Sequence, residues 1–196
     1  MEYQEFSQLI ASRRSIRLFE PRHIPVSMIT NALDAGRLAP SAANLQFIEY
    51  LVINEPDLCR RVFPCTRWAG YLAGRRNPSP GHEPVAYLAI LINTKKSNNP
   101  DMRDIGAAAQ NIMLSLRVNG VGSCWLGNID RVGLSEILAI PSGYEIDSLI
   151  AAGFPAEDPQ LETDDASVRY WLDEYNQLHV PKRSIENIVH YNTVKR

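Results

Sequence analysis

The run Val85-Ala86-Tyr87-Leu88-Ala89-Ile90-Leu91-Ile92 constrains this fold more than any other stretch of the chain. It carries no charge and one polar atom, a tyrosine hydroxyl, so neither face of the segment suits water. A near-continuous apolar run of this length reads as a strand buried in the middle of a sheet. The elements needed to cover it lie on both sides in sequence. Gln4 to Ser12 places Phe6, Leu9 and Ile10 at helical spacing. Pro25 opens a second helix, because its fixed φ and missing N–H suit a first turn, and Ile29, Leu33 and Leu38 share one broad face of it up to Pro40. Phe47 to Ile53 reads as a strand and Pro56 to Val62 as a short helix. Asp101 to Asn119 is a long helix, with Asp101 and Asp104 favouring the positive end of its dipole and Gly120 supplying a left-handed stop. Ala107, Ala108 and Ala109 allow close packing along it.

Val121 to Leu126 reads as a further strand, Leu134 to Ala139 as a short helix, and Ile146 to Ala152 as a strand ending at Gly153-Phe154-Pro155. Val168 to Leu172 and Gln177 to Val180 alternate well enough for two strands about a turn near Asn176. Ile185, Ile188 and Val189 are apolar and need a surface to cover. Helices alternating with strands indicate an α/β or α+β domain. No repeat, low-complexity segment or linker divides residues 1–196, which read as one domain.

Composition narrows the function. The formal net charge is −2, which argues against nucleic acid, whose binding requires a basic excess or a basic face. No apolar run reaches the roughly 20 residues that span a bilayer. The start Met1-Glu2-Tyr3-Gln4-Glu5 is acidic and unlike a signal peptide. Three cysteines without C-x-x-C spacing fit a reducing cytoplasm. The four histidines are scattered with no second ligand at i,i+4, so no metal site is expected.

Four segments carry chemistry. Arg13-Arg14-Ser15-Ile16-Arg17 puts three guanidinium groups and a hydroxyl within five residues, beside the apolar Leu9, Ile10, Leu18 and Phe19. Guanidinium forks match phosphate, and so tight a cluster repels itself until something anionic neutralises it. A solvated basic turn is the plainer alternative. Ala39-Pro40-Ser41-Ala42-Ala43-Asn44-Leu45-Gln46 joins a helix end to a strand start; its small residues let a planar ligand approach the backbone, and Asn44 and Gln46 each offer a donor and an acceptor. Gly120-Val121-Gly122-Ser123-Cys124-Trp125-Leu126-Gly127 is an apolar strand with glycines at both ends. It fits neither the dinucleotide nor the P-loop phosphate template, and Cys124 reads as a buried, inert thiol. Lys182-Arg183 follows Pro181 near the end of the chain. Between the second and third segments, the stretch from Pro64 to Pro84 holds four of the thirteen prolines and three glycines. A loop that long inside a domain is usually functional or disordered, and Trp68 and Tyr71 point to function.

These segments, in this order and over nearly the whole chain, resemble the nitroreductase-like flavoprotein family. The resemblance extends through Gly153-Phe154-Pro155 to His179-Val180-Pro181-Lys182-Arg183 and Ile188-Val189-His190-Tyr191. It implies an α+β fold with a central mixed β-sheet flanked by helices, one FMN-binding domain, and a homodimer in which the C-terminal tail extends over the partner subunit. It places Arg13, Arg14 and Ser15 on the ribityl phosphate, joined by Lys182 or Arg183, and Arg17 at the pyrimidine edge of the flavin. Pro40, Ser41, Asn44 and Gln46 would approach the ring, with the backbone of Leu126 and Gly127 near its N5 edge. Trp68 and Tyr71 would stack on substrate. Gln46 is followed by Phe47-Ile48, where many members carry Pro-Trp. No acidic-aromatic-basic trio stands in the 64–84 loop, so the iodotyrosine deiodinase subfamily is not expected.

The implied activity is ping-pong transfer of electrons from NADH or NADPH to a nitroaromatic, a quinone or an activated alkene. No residue is assigned as a catalytic acid, base or nucleophile, because the cofactor carries the chemistry. A flavin-binding carrier or sensor without turnover would use the same cationic site, and a third possibility is a domain for another phosphorylated ligand.

Overall fold

The computed structural model describes residues 2–97 and 99–194. In chain order the elements are α1 (Tyr3–Ser12), α2 (Val26–Arg37), β1 (Ile48–Ile53), α3 (Pro56–Val62), β2 (Ala86–Asn93), α4 (Met102–Val118), β3 (Gly122–Leu126), α5 (Arg131–Ile137), β4 (Tyr144–Gly153), β5 (Gln160–Thr163), β6 (Trp171–Leu172) and β7 (Leu178–Lys182). The central sheet runs β1-β2-β4-β3, and every ladder in it is antiparallel. Parallel pairing enters at its β3 edge, where Ser15 bridges Ser123, and in a second sheet ordered β5-β7-β6.

All eight residues of β2 are buried, as its apolar run requires. Strand alternation divides them between two cores. Ala86, Leu88, Ile90 and Ile92 join α2 and α4 through Ile29, Ala32, Ile105, Ala109, Ile112 and Leu116. Tyr87, Ala89 and Leu91 face the opposite layer, built from α3, α5 and the 64–84 segment through Cys59, Val62, Trp68, Leu72 and Leu134. Asp101 caps α4 by accepting the Arg103 N–H at 3.0 Å.

Several features differ from the sequence reading, among them the strand expected over Val168 to Leu172, which is confined to Trp171–Leu172. Helix α2 stops at Arg37 rather than at Pro40, leaving a longer loop before β1. Strand β5, which pairs in parallel with β7, has no counterpart in the sequence pattern; Gln160-Leu161-Glu162-Thr163 holds one large apolar residue, and its pairing comes wholly from its neighbour. Helix α1 buries none of its residues, and Tyr3, Phe6 and Ile10 stand exposed along it.

The second sheet contains a titratable brace. His179 on β7 stacks on Trp171 of β6, with ring centroids 5.1 Å apart and planes at 9°. Its Nδ1 lies 2.7 Å from Glu162 Oε1 on β5, and its Nε2 makes a longer 3.5 Å contact with Asp173 Oδ2. The Glu162 contact, with a smaller contribution from Asp173, raises the imidazole pKa above its ordinary 6.5. Asp173 is held below its usual range, first by the Gln177 N–H. A raised folded-state pKa stabilises fully below pH 6.5 and is lost as pH rises through the raised value; the depressed Asp173 contributes above the ordinary aspartate range and is lost on acidification below it. Amide protection factors in β5 and β7, with the intrinsic pH dependence of exchange divided out, are therefore expected to be higher near pH 6.5 than at about pH 8, and His179→Gln should flatten that difference. Equal protection of the two strands at both pH values in the unmodified protein would contradict the brace.

Candidate functional site

Beyond α1 the backbone turns extended and lies along β3. Arg13 N–H closes the helix onto Leu9 O at 3.1 Å, and Ile16 N–H then donates to Ser123 O at 3.0 Å. The contact needs a glycine on the strand: a Cβ at Gly122 would stand 2.7 Å from Ile16 Cγ1. Ile16 and Phe19 are buried. Phe19 is held by its N–H to His82 O at 3.1 Å and by Glu20 N–H to Phe154 O at 2.8 Å. Apolar residues at 16 and 19 thus anchor the segment, and the basic residues between and before them are fixed with it.

The arginines are partly inside the protein. Arg14 is 8% exposed and donates Nη2 to Ile10 O at 3.1 Å. The Nε atoms of Arg13, Arg14 and Arg17 are buried without a hydrogen-bond partner among the described residues. Burial lowers the pKa of Arg13 and Arg14, and for Arg14 the charge of Arg13 adds to the effect. Buried donors without acceptors are costly, as is like charge at short range. An anion placed here relieves both, so the residues present fit a phosphate group.

The sequence reading missed the residue that shapes this cluster. Glu157 Oε1 accepts the N–H of Arg17 and, at 3.1 Å, that of Leu18. Its Oε2 stands 3.3 Å from Arg76 Nε, with the two side chains 4% and 6% exposed. Arg76 also donates Nη2 to Asn176 O at 2.6 Å. One buried ion pair thereby joins the arginine segment, the 64–84 loop and the C-terminal segment. Nothing local marks it: Glu157 lies 140 residues from Arg17 and Arg76 is one of five arginines between 60 and 76.

The Pro40–Gln46 loop is strained and clasped. Ala43, Asn44 and Gln46 have φ of 49°, 54° and 48°, left-handed values that L residues seldom adopt. Such backbone persists where surrounding bonds over-determine it. Ser41 O accepts the Asn44 N–H at 2.9 Å, and Ser41 Oγ accepts the Gln46 N–H at 3.1 Å. From α4 the buried Asp104 accepts the Ala42 N–H at 2.9 Å. The sequence reading gave Asp104 a dipole role only. Phe47, fully buried, pins the loop to the α2/α4 core. Asn44 and Gln46 remain exposed, and a cavity of about 220 Å³ lies beneath Pro40, Ser41 and Gln46, reaching Tyr50, Lys96 and Asp104.

At the end of β3, Leu126 is buried and Gly127 exposed. Arg131 gathers three carbonyls there: Gly127 O at 3.3 Å, Ile146 O at 3.1 Å and Asp147 O at 2.5 Å. Cys124 is buried, and burial pushes its thiol pKa up against the lowering effect of Arg17. A raised thiol pKa leaves little thiolate.

Two other placements qualify the sequence reading. Trp68 is 9% exposed, packs beside Phe63, and donates Nε1 to Thr66 Oγ1 at 2.8 Å. Its indole fills the α3/α5 core and has no open face for a substrate, because the 63–72 stretch winds as two 3-10 turns that fold it inward. Tyr71 is 56% exposed. Lys182 ends β7 and Arg183 donates back to Asn187 O, both exposed. Among the described residues no hydrogen bond ties them to the N-terminal arginines. No group of three His, Cys, Asp or Glu among those residues is placed to hold a metal ion, and none of the described helices is long and apolar enough to cross a membrane.

Residues 10–154 match the nitroreductase family. An Archaeoglobus fulgidus protein carrying the name NADH dehydrogenase/NAD(P)H nitroreductase is 31% identical over 170 residues, covering 83% of this chain and 92% of the relative. Mouse iodotyrosine deiodinase is 34% identical over 62 residues only, 32% of this chain and 22% of that protein. Among solved structures, a nitroreductase-type protein of Desulfovibrio desulfuricans, determined in complex with FMN, superposes with a TM-score of 0.70 at 24% identity over 96% of this chain and 97% of its own. With the family matched across three quarters of its length and the fold shared from end to end, the chain belongs to the nitroreductase family.

Proposed function

We propose that this chain is an FMN-dependent oxidoreductase that takes electrons from NADH or NADPH and delivers them to a nitroaromatic, a quinone or a similar small acceptor in a ping-pong sequence. The observation that carries the reading is the set of three buried arginine Nε atoms without partners, in a segment where burial already disfavours the charges of Arg13 and Arg14. Family membership and the names of the relatives support it.

In this reading Arg13, Arg14 and Ser15 hold the phosphate of FMN, with Lys182 or Arg183 closing the site. Arg17 stands at the pyrimidine edge, where its fixed charge favours an electron-rich ring. Pro40, Ser41, Asn44 and Gln46 meet the ring system, and the Asp104 clasp keeps that strained loop in one conformation. The backbone at Leu126 and Gly127 lies at the reacting edge, held by Arg131. FMN, when bound, supplies the hydride acceptor and the redox chemistry. The protein's part is to bind it, orient it and leave one face open to donor and acceptor in turn.

The functional unit in this reading is a cytoplasmic homodimer of single-domain subunits. The exposed Tyr3, Phe6 and Ile10 on α1, and Ile185, Ile188 and Val189 in the tail, supply apolar surface for a second copy to cover. A carrier that caps its flavin for good loses one of its two candidate caps, since Trp68 is turned into the core.

The test is the visible spectrum of the purified protein, followed by anaerobic stopped-flow mixing with NADH and with NADPH. The expected result is a yellow protein holding FMN that bleaches with at least one donor. A colourless protein that takes up no added FMN would overturn the reading. Bound FMN that neither donor reduces would instead favour the carrier.

A further inference from the structure

Arg17 lies at one end of a stack in which two cations flank two aromatic rings. Its guanidinium sits 5.1 Å from the centroid of the Tyr170 ring. Tyr170 packs on Tyr71 with centroids 5.0 Å apart, and the Tyr170 hydroxyl accepts the Tyr71 N–H at 3.4 Å. Arg169 completes the series with its guanidinium 5.6 Å from the Tyr71 centroid. The stack leads from the segment assigned to the flavin out to solvent, where Tyr71 is more than half exposed and Arg169 is exposed. The Arg76 contacts with Glu157 and Asn176 tie together the same three segments, so Tyr71 is presented from a tethered loop.

The charges around the outer end are unbalanced. Among the described residues Arg169 has no carboxylate within ion-pairing distance and its guanidinium donates no hydrogen bond; only its backbone N–H is engaged, on Ser167 Oγ at 3.2 Å. Neighbouring acids in sequence are turned elsewhere. Asp164 Oδ1 accepts the Ala166 and Ser167 N–H groups, Asp165 Oδ1 accepts the Ser184 N–H, and Asp173 Oδ1 accepts the Tyr175 and Gln177 N–H groups. What remains is an exposed tyrosine ring beside an uncompensated guanidinium. That pair matches a flat molecule with a carboxylate or sulfonate on it: the ring stacks, and the fork takes the anion.

Resting on the flavin reading above, we propose that the acceptor this protein selects is a planar aromatic bearing an anionic group, recognised by Tyr71 and Arg169. With 4-nitrobenzoate as the probe, NADH and a proton reduce the nitro group to nitroso. NADH gives up a hydride and becomes NAD⁺, one N–O bond breaks, and the oxygen departs as water with the hydride's hydrogen and the added proton. The carboxylate is unchanged and serves for binding alone.

The experiment compares 4-nitrobenzoate with neutral 4-nitrobenzamide on the FMN-loaded protein at saturating NADH. The wild type is expected to favour the carboxylate by about tenfold in KM, the size of one well-placed charge contact near a surface. Arg169→Gln should bring that ratio close to one, chiefly through KM rather than kcat, whereas Arg75→Gln, an exposed arginine of the 64–84 segment that carries Tyr71, should keep it. Titration of the oxidised protein with benzoate, followed by the flavin absorbance, should show saturable binding that Arg169→Gln loses. A loaded, NADH-reducible protein that takes both acceptors equally overturns the inference alone. So does an Arg169→Gln change confined to the KM for NADH, which would assign the arginine to the donor's phosphates, or an equal loss in Arg75→Gln, which would make the effect a general field. A protein that binds no FMN, or whose FMN is never reduced, overturns the underlying reading and this inference with it.

Discussion

Replacing Arg13 and Arg14 together with alanine is expected to strip FMN from the protein and leave the fold intact. Each guanidinium removed costs a charge-assisted phosphate contact, about 1.5–3 kcal/mol, so the pair should weaken FMN by about 10²–10⁴-fold. The apoprotein should not suffer in proportion. Both side chains sit where burial already opposes their charge, and Arg14 is further opposed by Arg13. Their removal takes away unpaired donors and a repulsion, while the anchors Ile16 and Phe19 remain buried. The check is FMN fluorescence quenching on adding apoprotein, read beside a urea melt of both apoproteins. Undiminished flavin occupancy in the double variant would sink the phosphate assignment. It would return the cluster to the plainer reading of a basic turn, or to a site for some other anion.

Glu157→Ala should do the reverse and damage the fold first. The substitution takes the acceptor from two backbone N–H groups and leaves the Arg76 guanidinium, whose side chain is 6% exposed, without its carboxylate. Removing one member of a buried ion pair costs about 3–5 kcal/mol, because an uncompensated charge stays behind. The urea midpoint should fall accordingly, in the absence of any flavin. FMN binding should weaken as well, since the Arg17–Leu18 backbone loses its clamp. Removing both charges, Arg76→Met with Glu157→Met, should cost less than the sum of the two single changes, the coupling expected of groups in contact. A single variant that melts with the wild type would show that the pair carries no stability, and that the three segments are held together by packing alone.

The two variants separate what was readable in the residues from what was not. The arginine segment announces itself: three guanidinium groups in five residues are a local pattern with a local electrostatic consequence. Glu157 and Asp104 do the positioning, and each acts on a backbone it meets through the fold, 140 and 62 residues away. An acid two residues after Pro155, or in the first turn of a helix, has many ordinary explanations, and only the partner identifies the role. Trp68 shows the opposite failure. An aromatic in a Pro- and Gly-rich loop looks like a ligand platform, yet tight turns fold its indole into the core, where the burial of so large an apolar surface outweighs exposure. Tyr71, three residues on and with a hydroxyl to keep in water, stays outside.

Strand β5 and the tail illustrate the same limit for the fold itself. The all-buried β2, the capped α4 and the paired strands around them follow from patterns inside single segments, since side-chain period and capping are set by neighbours a few residues away. Parallel pairing of a polar four-residue strand with β7 depends on a partner chosen by packing, and no periodicity encodes it. The sequence by itself determined the alternation of helices and strands and the cationic segment whose charges repel one another, because those are properties of local composition and spacing. Which acid clamps the arginines, which aromatic faces solvent and which loop is locked in a left-handed turn were decided only by the tertiary structure, because each depends on contacts between segments that the chain brings together on folding.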